Sequence, residues 1–268
     1  MKAIIILFFI CYGATCFGIN PKKDYIGTPK EYQINYEEIS IKNKDIEICI
    51  WISQPKENLI NNKNIKTIIL AYGDYGNMSY YLPYINFYTK LGFRVVSFDY
   101  RGFGRSSPVF IDQNILFYDE FAVDLKNVIS YCKKKIKIEK IGIVSLSMGT
   151  ILTCIALQNE RIEFIIAEGC VYNVYDIVER LKKIKNKQIT LKKSYDLPRK
   201  WSLIKSRMLL LVANKDSITT YEDSQNIVIQ NPKKRSLSIY DGDHLSILNN
   251  LKNFEFYEQQ INHFLNDK

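Results

Sequence analysis

Short, wholly apolar runs alternate with longer stretches of helical spacing along most of the chain. The apolar runs are Thr67–Leu70, Arg94–Phe98, Ile141–Ser145, Ile162–Ala167, Arg207–Val212 and Ser236–Tyr240. The stretches with helical spacing are Tyr80–Leu91, Phe117–Lys134, Met148–Leu157, Tyr221–Ile229 and Phe254–Leu265. Short strands that are apolar throughout are buried on both faces, so this alternation predicts a mostly parallel sheet covered by helices on each side.

The chain departs from this alternation in two places. Residues 35–53 contain two strand-like runs, Glu38–Ile41 and Ile46–Ile52, joined by a polar turn, which predicts an antiparallel pair. Residues 171–206 form a polar, Lys-rich stretch that is too long for a simple connector and predicts a small cap with one or two helices. We therefore expect one α/β domain over residues 19–268, with about eight strands and a cap at about 171–206.

The first residues have the pattern of an export signal. Lys2 precedes the apolar run Ala3–Ile10, and small residues follow around Gly13–Cys16. The run is shorter than the roughly 20 residues that a membrane span needs. We predict a signal peptide over residues 1–18 and an exported protein, periplasmic or extracellular. A lipoprotein signal, with a lipid on Cys16 or Cys11, is the second interpretation, ahead of an uncleaved anchor.

Composition excludes few classes of function. The 268 residues are 47% hydrophobic and 24% charged, enough apolar sequence for a sizeable core. The net charge of +9 comes from Lys spread along the chain, so we expect no nucleic-acid partner, whereas peripheral contact with a membrane stays open. The cysteines after the signal show no metal-ligand spacing, which argues against zinc; buried free thiols are expected, although export would permit one disulfide.

The segment Ile141–Thr150 contains the clearest candidate for a nucleophile. An apolar strand ends at Ser145-Leu-Ser147-Met-Gly149, and a helical pattern begins at once. A nucleophile on a sharp strand-to-helix turn needs small residues two positions before and after it, and Ser145 and Gly149 meet that requirement. The start of the helix would offer the backbone N–H of Met148 to a developing oxyanion. Ser147 is therefore predicted to be the nucleophile.

A serine nucleophile needs a base and an acid that orients the base. Of the two histidines, His244 follows the last apolar run on a loop, whereas His263 lies in the terminal helical pattern and has the character of a surface residue. Asp216 follows the run Arg207–Val212, which gives the chain order Ser, Asp, His. Glu168, at the end of the preceding run, is the main alternative acid.

Residues from about 66 to 265 resemble the α/β-hydrolase superfamily, in particular its branch of lysophospholipases and serine aminopeptidases. Besides the turn around Ser147, the segment Leu91–Ser106, which reads Leu-Gly-Phe-Arg-Val-Val-Ser-Phe-Asp-Tyr-Arg-Gly-Phe-Gly-Arg-Ser, is similar to the strand-four segment of that branch. The resemblance implies structural roles for Asp99 and Arg101, which would brace the loop beside the nucleophile.

The resemblance also implies a second oxyanion donor. Members usually have His-Gly after the third strand, where this chain has Tyr72-Gly73, and the next residue donates its backbone N–H. That role would belong to Asp74. The expected chemistry is acyl transfer through an acyl-enzyme on Ser147, with no metal or organic cofactor.

The expected substrate is a small-molecule or lipid ester, either a carboxylester or a lysolipid. A peptidase or thioesterase would use the same residues. A non-catalytic exported protein that keeps the fold as a binding scaffold is the alternative of a different class, because Tyr72 and Ser145 replace the usual residues. The sequence does not indicate an oligomeric state.

Overall fold

A computed structural model describes residues 18–55, 66–138, 140–185 and 188–267 of the chain. The predicted signal peptide, apart from Gly18, and both candidate lipidation sites, Cys11 and Cys16, lie outside the described residues. No helix in the described part is long and apolar enough to cross a membrane.

Eight strands form the main sheet, as the six apolar runs and the antiparallel pair predict. In chain order the strands of the protein are β1 (Asn20–Pro21), β2 (Tyr36–Asn43), β3 (Ile46–Ser53), β4 (Thr67–Ala71), β5 (Tyr75–Gly76), β6 (Arg94–Phe98), β7 (Ile141–Leu146), β8 (Phe164–Glu168), β9 (Arg207–Ala213) and β10 (Arg235–Tyr240). The order across the main sheet is β10-β9-β8-β7-β4-β6-β3-β2. Only the pairs β2–β3 and β3–β6 are antiparallel in this sheet, and β1 pairs in parallel with β5 in a separate small sheet.

Helices cover this sheet. They are α1 (Leu82–Lys90), α2 (Asp119–Lys134), α3 (Met148–Ala156), α4 (Val174–Lys185), α5 (Leu197–Leu203), α6 (Tyr221–Ile229) and α7 (Leu251–Asn266). Every residue of the central strands β4 and β7 is buried, which requires cover on both faces because successive side chains point to opposite sides. The mixed α/β fold with a mostly parallel sheet is therefore confirmed.

The segment 171–206 contains α4 and α5 and is attached to the body by several contacts. Trp201 is fully buried, and the guanidinium of Arg235 on β10 donates to its carbonyl at 2.6 Å. Arg180 on α4 forms an ion pair with Asp223 on α6. On the other side, the hydroxyl of Tyr195 donates to a carboxylate on α2 at 2.9 Å. The segment thus packs against α2, α6 and β10.

The four cysteines within the described residues are buried and unpaired. They are Cys49, Cys132, Cys154 and Cys170. Burial raises the pKa of the Cys132 thiol to about 12, so this thiol stays neutral near pH 7.

Candidate active site

Ser147 sits on a strained turn between β7 and α3. Its backbone has φ 51° and ψ −116°, in a region that residues with a side chain rarely occupy. A Cβ on Gly149 would lie 2.0 Å from the Ala71 carbonyl oxygen, which explains why glycine stands there. At the other small position, the buried Ser145 hydroxyl bonds to that of Thr153 at 2.7 Å. The side chain of Ser145 is thus accommodated by a hydrogen bond into α3.

The structure brings together the three side chains that the sequence singled out. The Nε2 atom of His244 lies 2.9 Å from the Oγ of Ser147. On the other edge of the ring, Nδ1 lies 2.7 Å from a carboxylate oxygen of Asp216. Both distances are within hydrogen-bond range, so one imidazole connects the hydroxyl to the carboxylate.

The contacts of Asp216 favour its ionised form. Burial favours its neutral form, but hydrogen bonds from His244 and Thr219 and the charge of the imidazolium lower its pKa below the ordinary value. Burial also opposes charge on His244; the hydrogen bond and charge of Asp216, with smaller contributions from Asp74 and Glu168, nevertheless raise the pKa of His244 above 6.5. The site therefore stabilises the imidazolium that forms when His244 takes up a proton.

Thr219 is a site residue that sequence reasoning missed. Its hydroxyl donates to Asp216 at 2.6 Å and lies 3.1 Å from Nδ1 of His244. Its backbone N–H also donates to Asp216, at 2.9 Å. The only signal in the sequence is its place three residues after an aspartate, which is a common position for a residue bonded to an aspartate side chain.

The alternative candidates from the sequence make other side-chain contacts. The carboxylate of Glu168 accepts hydrogen bonds from the hydroxyls of Tyr84 and Tyr240. His263 has a side chain that is 75% exposed and lies 3.4 Å from Asp267 on the terminal helix. Of the candidate acids, Asp216 is therefore the one whose carboxylate contacts the His244 ring.

The loop of Tyr72, Gly73 and Asp74 lies beside Ser147. Tyr72, in place of the family's histidine, is fully buried, stacks on Tyr81, and donates its hydroxyl to Asp99 at 3.3 Å. Gly73 leaves little space for a side chain, since a Cβ there would lie 3.1 Å from the Tyr81 hydroxyl oxygen. A buried aromatic contact and a hydrogen bond to Asp99 thus support this loop.

Asp99 and Arg101 contribute contacts of a structural kind. Asp99 accepts hydrogen bonds from the backbone N–H groups of Met78, at 2.8 Å, and Arg105, at 3.1 Å. Arg101 forms an ion pair with the buried Asp124 on α2 at 2.6 Å. These contacts attach the loop after β6 to the turn at Met78 and to α2.

The N-terminal strand β1 also braces the loop that carries Asp74. The backbone N–H of Asn20 donates to the Asp74 carbonyl at 2.8 Å, and that of Lys22 donates to the Gly76 carbonyl at 2.8 Å. Gly18, which begins the described chain, lines the same cavity as Ser147. Two residues are too few to show a periodic pattern, so the sequence did not reveal this strand.

A small, largely apolar cavity of about 60 Å³ opens beside Ser147. Asp74, Met148, Thr219 and His244 contribute to its wall, so both residues predicted to supply oxyanion donors border it. The remaining apolar side chains of the wall are Leu116, Ile151, Val171, Ile177, Leu181 and Ile218. Among residues 18–55, 66–138, 140–185 and 188–267, no group of three or more His, Cys, Asp or Glu side chains could hold a metal ion.

Comparisons with known proteins agree with this architecture. A family model described as acyl transferase matches residues 35–203. The uncharacterized protein YfhR of Escherichia coli O157:H7 is 26% identical over 206 residues, which are 75% of this chain and 70% of that protein.

Similar folds occur among solved structures. The esterase Pf2001 of Pyrococcus furiosus superposes with a TM-score of 0.76 at 21% identity, over 92% of this chain and 97% of that one. A membrane phospholipase A superposes with a TM-score of 0.64 at 14% identity, over 86% and 87% of the two chains. At these identities the likeness is one of fold. The chain belongs to the acyl transferase family whose model it matches, within the α/β-hydrolase superfamily.

Proposed function

We propose that the protein is a serine esterase that hydrolyses small carboxylesters through an acyl-enzyme on Ser147. The observation that carries this proposal is the chain of contacts from Ser147 Oγ to His244 Nε2, at 2.9 Å, and from His244 Nδ1 to Asp216, at 2.7 Å. A hydroxyl within reach of an imidazole, itself oriented by a buried carboxylate, is the arrangement that activates serine for attack on a carbonyl.

The proposed reaction has two halves. His244 accepts the hydroxyl proton while Oγ of Ser147 bonds to the ester carbonyl carbon, and the N–H groups of Met148 and Asp74 stabilise the oxyanion. The bond to the alcohol then breaks, and His244 returns the proton to the departing alkoxide. Water, deprotonated by His244, attacks the acyl-enzyme in the same way and releases the acid.

The cavity favours a short, apolar acyl group. About 10–15 Å³ of such space holds one water molecule, so about 60 Å³ encloses a chain of a few carbons, and a fatty acyl chain would have to extend out of the cavity. Short carboxylesters are therefore preferred over lysolipids as substrates. That an esterase and a phospholipase share this fold is consistent with an ester substrate.

A series of p-nitrophenyl esters tests the acyl preference. We expect kcat/KM to be highest for acetate or butyrate and to fall for octanoate, with Ser147→Ala as the inactive control. Leu181→Ala and Ile151→Ala, which remove apolar side chains from the cavity wall, are expected to shift the preference towards longer chains. A maximum at octanoate in the wild type would contradict the short-chain proposal. Parallel anilides and thioesters distinguish a peptidase or a thioesterase.

Transfer of the acyl group to an alcohol is a second candidate, favoured by the family model described as acyl transferase. The same acyl-enzyme would form, and the acceptor would then be an alcohol in place of water. The two are separated by adding glycerol or methanol during turnover of p-nitrophenyl butyrate and quantifying the products. Free butyrate as the main product supports hydrolysis, whereas a dominant new ester supports transfer.

A further inference from the structure

Glu168 is a buried carboxylate that the proposed reaction does not use directly. It ends β8, only 1% of its surface is exposed, and it follows a strand that is apolar up to that point. Its backbone carbonyl accepts the N–H of Ser147 at 3.0 Å. The main chain of Glu168 therefore holds the strained turn on which the nucleophile sits.

The side chain of Glu168 holds the loop that carries His244. One carboxylate oxygen accepts the hydroxyl of Tyr240 at 2.6 Å and faces the backbone N–H of Ile247 at 3.4 Å. The same Tyr240 hydroxyl accepts the N–H of Ser246 at 3.2 Å. Tyr240 precedes His244 and Ile247 follows it, so the carboxylate holds both ends of the loop.

The second carboxylate oxygen of Glu168 accepts a hydrogen bond from the side of α1, opposite the His244 loop. It accepts the hydroxyl of Tyr84 on α1 at 2.7 Å. A buried carboxylate without partners would be strongly destabilising, and here hydroxyl and amide donors surround it. The arrangement fixes the carboxylate rigidly between α1 and the His244 loop.

We infer that Glu168 is a positioning residue for the proposed hydrolysis, on which this inference rests: its carbonyl fixes Ser147, and its carboxylate fixes the loop of His244. Glu168 therefore positions both Ser147 and His244, whose side chains form the 2.9 Å contact between hydroxyl and imidazole. An error of about 1 Å in such a contact can cost about a hundredfold in rate.

The charge of Glu168 gives a readout that a packing role would not. Asp216, Asp74 and Glu168 are the carboxylates whose charges raise the pKa of His244. Burial outweighs the hydrogen bonds from Tyr240, Tyr84 and Ile247 and raises the pKa of Glu168 itself. At a pH above that raised pKa, replacing the carboxylate by an amide removes one negative charge near the imidazole and lowers the pKa of His244, so the acid limb of kcat/KM moves to lower pH.

Three variants separate position, charge and general stability. Glu168→Gln removes the charge and one acceptor, Tyr240→Phe removes the bond to the loop but keeps the charge, and Tyr88→Phe is the matched control. The hydroxyl of Tyr88 is equally buried and bonds to Tyr257. Turnover of p-nitrophenyl butyrate is measured against pH for each folded variant. Because Glu168 is buried away from substrate, kcat is expected to change and KM to stay constant.

We expect Glu168→Gln and Tyr240→Phe to lower kcat by about tenfold or more, because a shift of the His244 loop by a fraction of about 1 Å misplaces the imidazole relative to Ser147. The acid limb should move to lower pH in Glu168→Gln alone, and Tyr88→Phe should match the wild type. The inference is wrong if both variants keep kcat within about twofold of wild type, or if Tyr88→Phe loses as much. If Glu168→Gln does not fold, the comparison of Tyr240→Phe with Tyr88→Phe decides. An inactive wild type would overturn the proposed function as well, whereas an active wild type with unaffected variants overturns this inference alone.

Discussion

Replacing Asp216 by asparagine should prevent His244 from acting as a base, because it reverses the tautomer of the imidazole. One oxygen of Asp216 accepts the backbone N–H groups of Ile218 and Thr219, at 2.8 and 2.9 Å. An asparagine must place its carbonyl oxygen there, because the amide nitrogen has no lone pair to accept these bonds. Its NH₂ group then faces Nδ1 of His244, which lies 2.7 Å from the other oxygen in the wild type. Nδ1 becomes an acceptor, and the proton moves to Nε2.

The consequence is a base that cannot accept a proton from Ser147. With hydrogen on Nε2, the atom 2.9 Å from the hydroxyl is a donor. In other hydrolases with this arrangement the same exchange lowers kcat by about 10⁴, which corresponds to about 5.5 kcal/mol in the barrier. We expect a loss of that order in kcat for Asp216→Asn, with little change in KM because the Asp216 side chain is only 1% exposed.

The assay is steady-state hydrolysis of p-nitrophenyl acetate, with folding checked by circular dichroism. Asp241→Asn is the matched control, since Asp241 has a 62% exposed side chain and pairs with Lys215 on the surface. Solvent screens an exposed pair, which therefore contributes little to stability, so this variant should keep wild-type activity. A value of kcat for Asp216→Asn within about tenfold of wild type would refute the tautomer argument and point to another acid.

Three further predictions follow from the same geometry. Because the pKa of His244 is raised and the neutral imidazole is the active base, kcat/KM should fall on the acid side with a midpoint above pH 6.5, and a midpoint below that value would contradict the electrostatic account. Thr219→Val removes a hydroxyl bonded to Asp216 and should lower kcat/KM by about tenfold, so unchanged kinetics would make that bond dispensable. Gly149→Ala would place a Cβ 2.0 Å from the Ala71 carbonyl oxygen and should lower the free energy of unfolding by about 3 kcal/mol in urea titrations; a wild-type midpoint would be inconsistent with this contact.

The central strands of the main sheet were predictable because they are apolar on both faces and helices follow them. Within the main sheet and the helices beside it, differences are confined to element ends. The run Ile162–Ala167 corresponds to a strand over Phe164–Glu168, and the predicted helix Tyr80–Leu91 is a 3₁₀ turn at Met78–Tyr81 followed by α1. Pro83 lies at the start of α1, where a missing N–H costs nothing, so it marks the helix start inside the predicted stretch.

The candidate nucleophile, base and acid were predictable for a different reason. Each lies within the first few residues after a strand, and the carboxyl ends of parallel strands meet at one edge of the sheet. The side-chain partners of Glu168 were not predictable, because its hydrogen bonds to Tyr240 and Tyr84 join residues that are 72 and 84 positions apart in the chain. The residues next to Glu168 in the sequence do not indicate which distant tyrosine donates a hydrogen bond to it.

Covalent labelling of Ser147 tests the central claim most directly. The domain is incubated with a fluorophosphonate, and the modified peptide is identified by mass spectrometry beside Ser147→Ala and His244→Ala. We predict a single adduct on Ser147 in the wild type, no adduct in Ser147→Ala, and strongly slowed labelling in His244→Ala, because the hydroxyl is a poor nucleophile without its base. A folded wild type that stays unlabelled, or that is modified at another residue, would contradict the account and favour a binding scaffold over an enzyme.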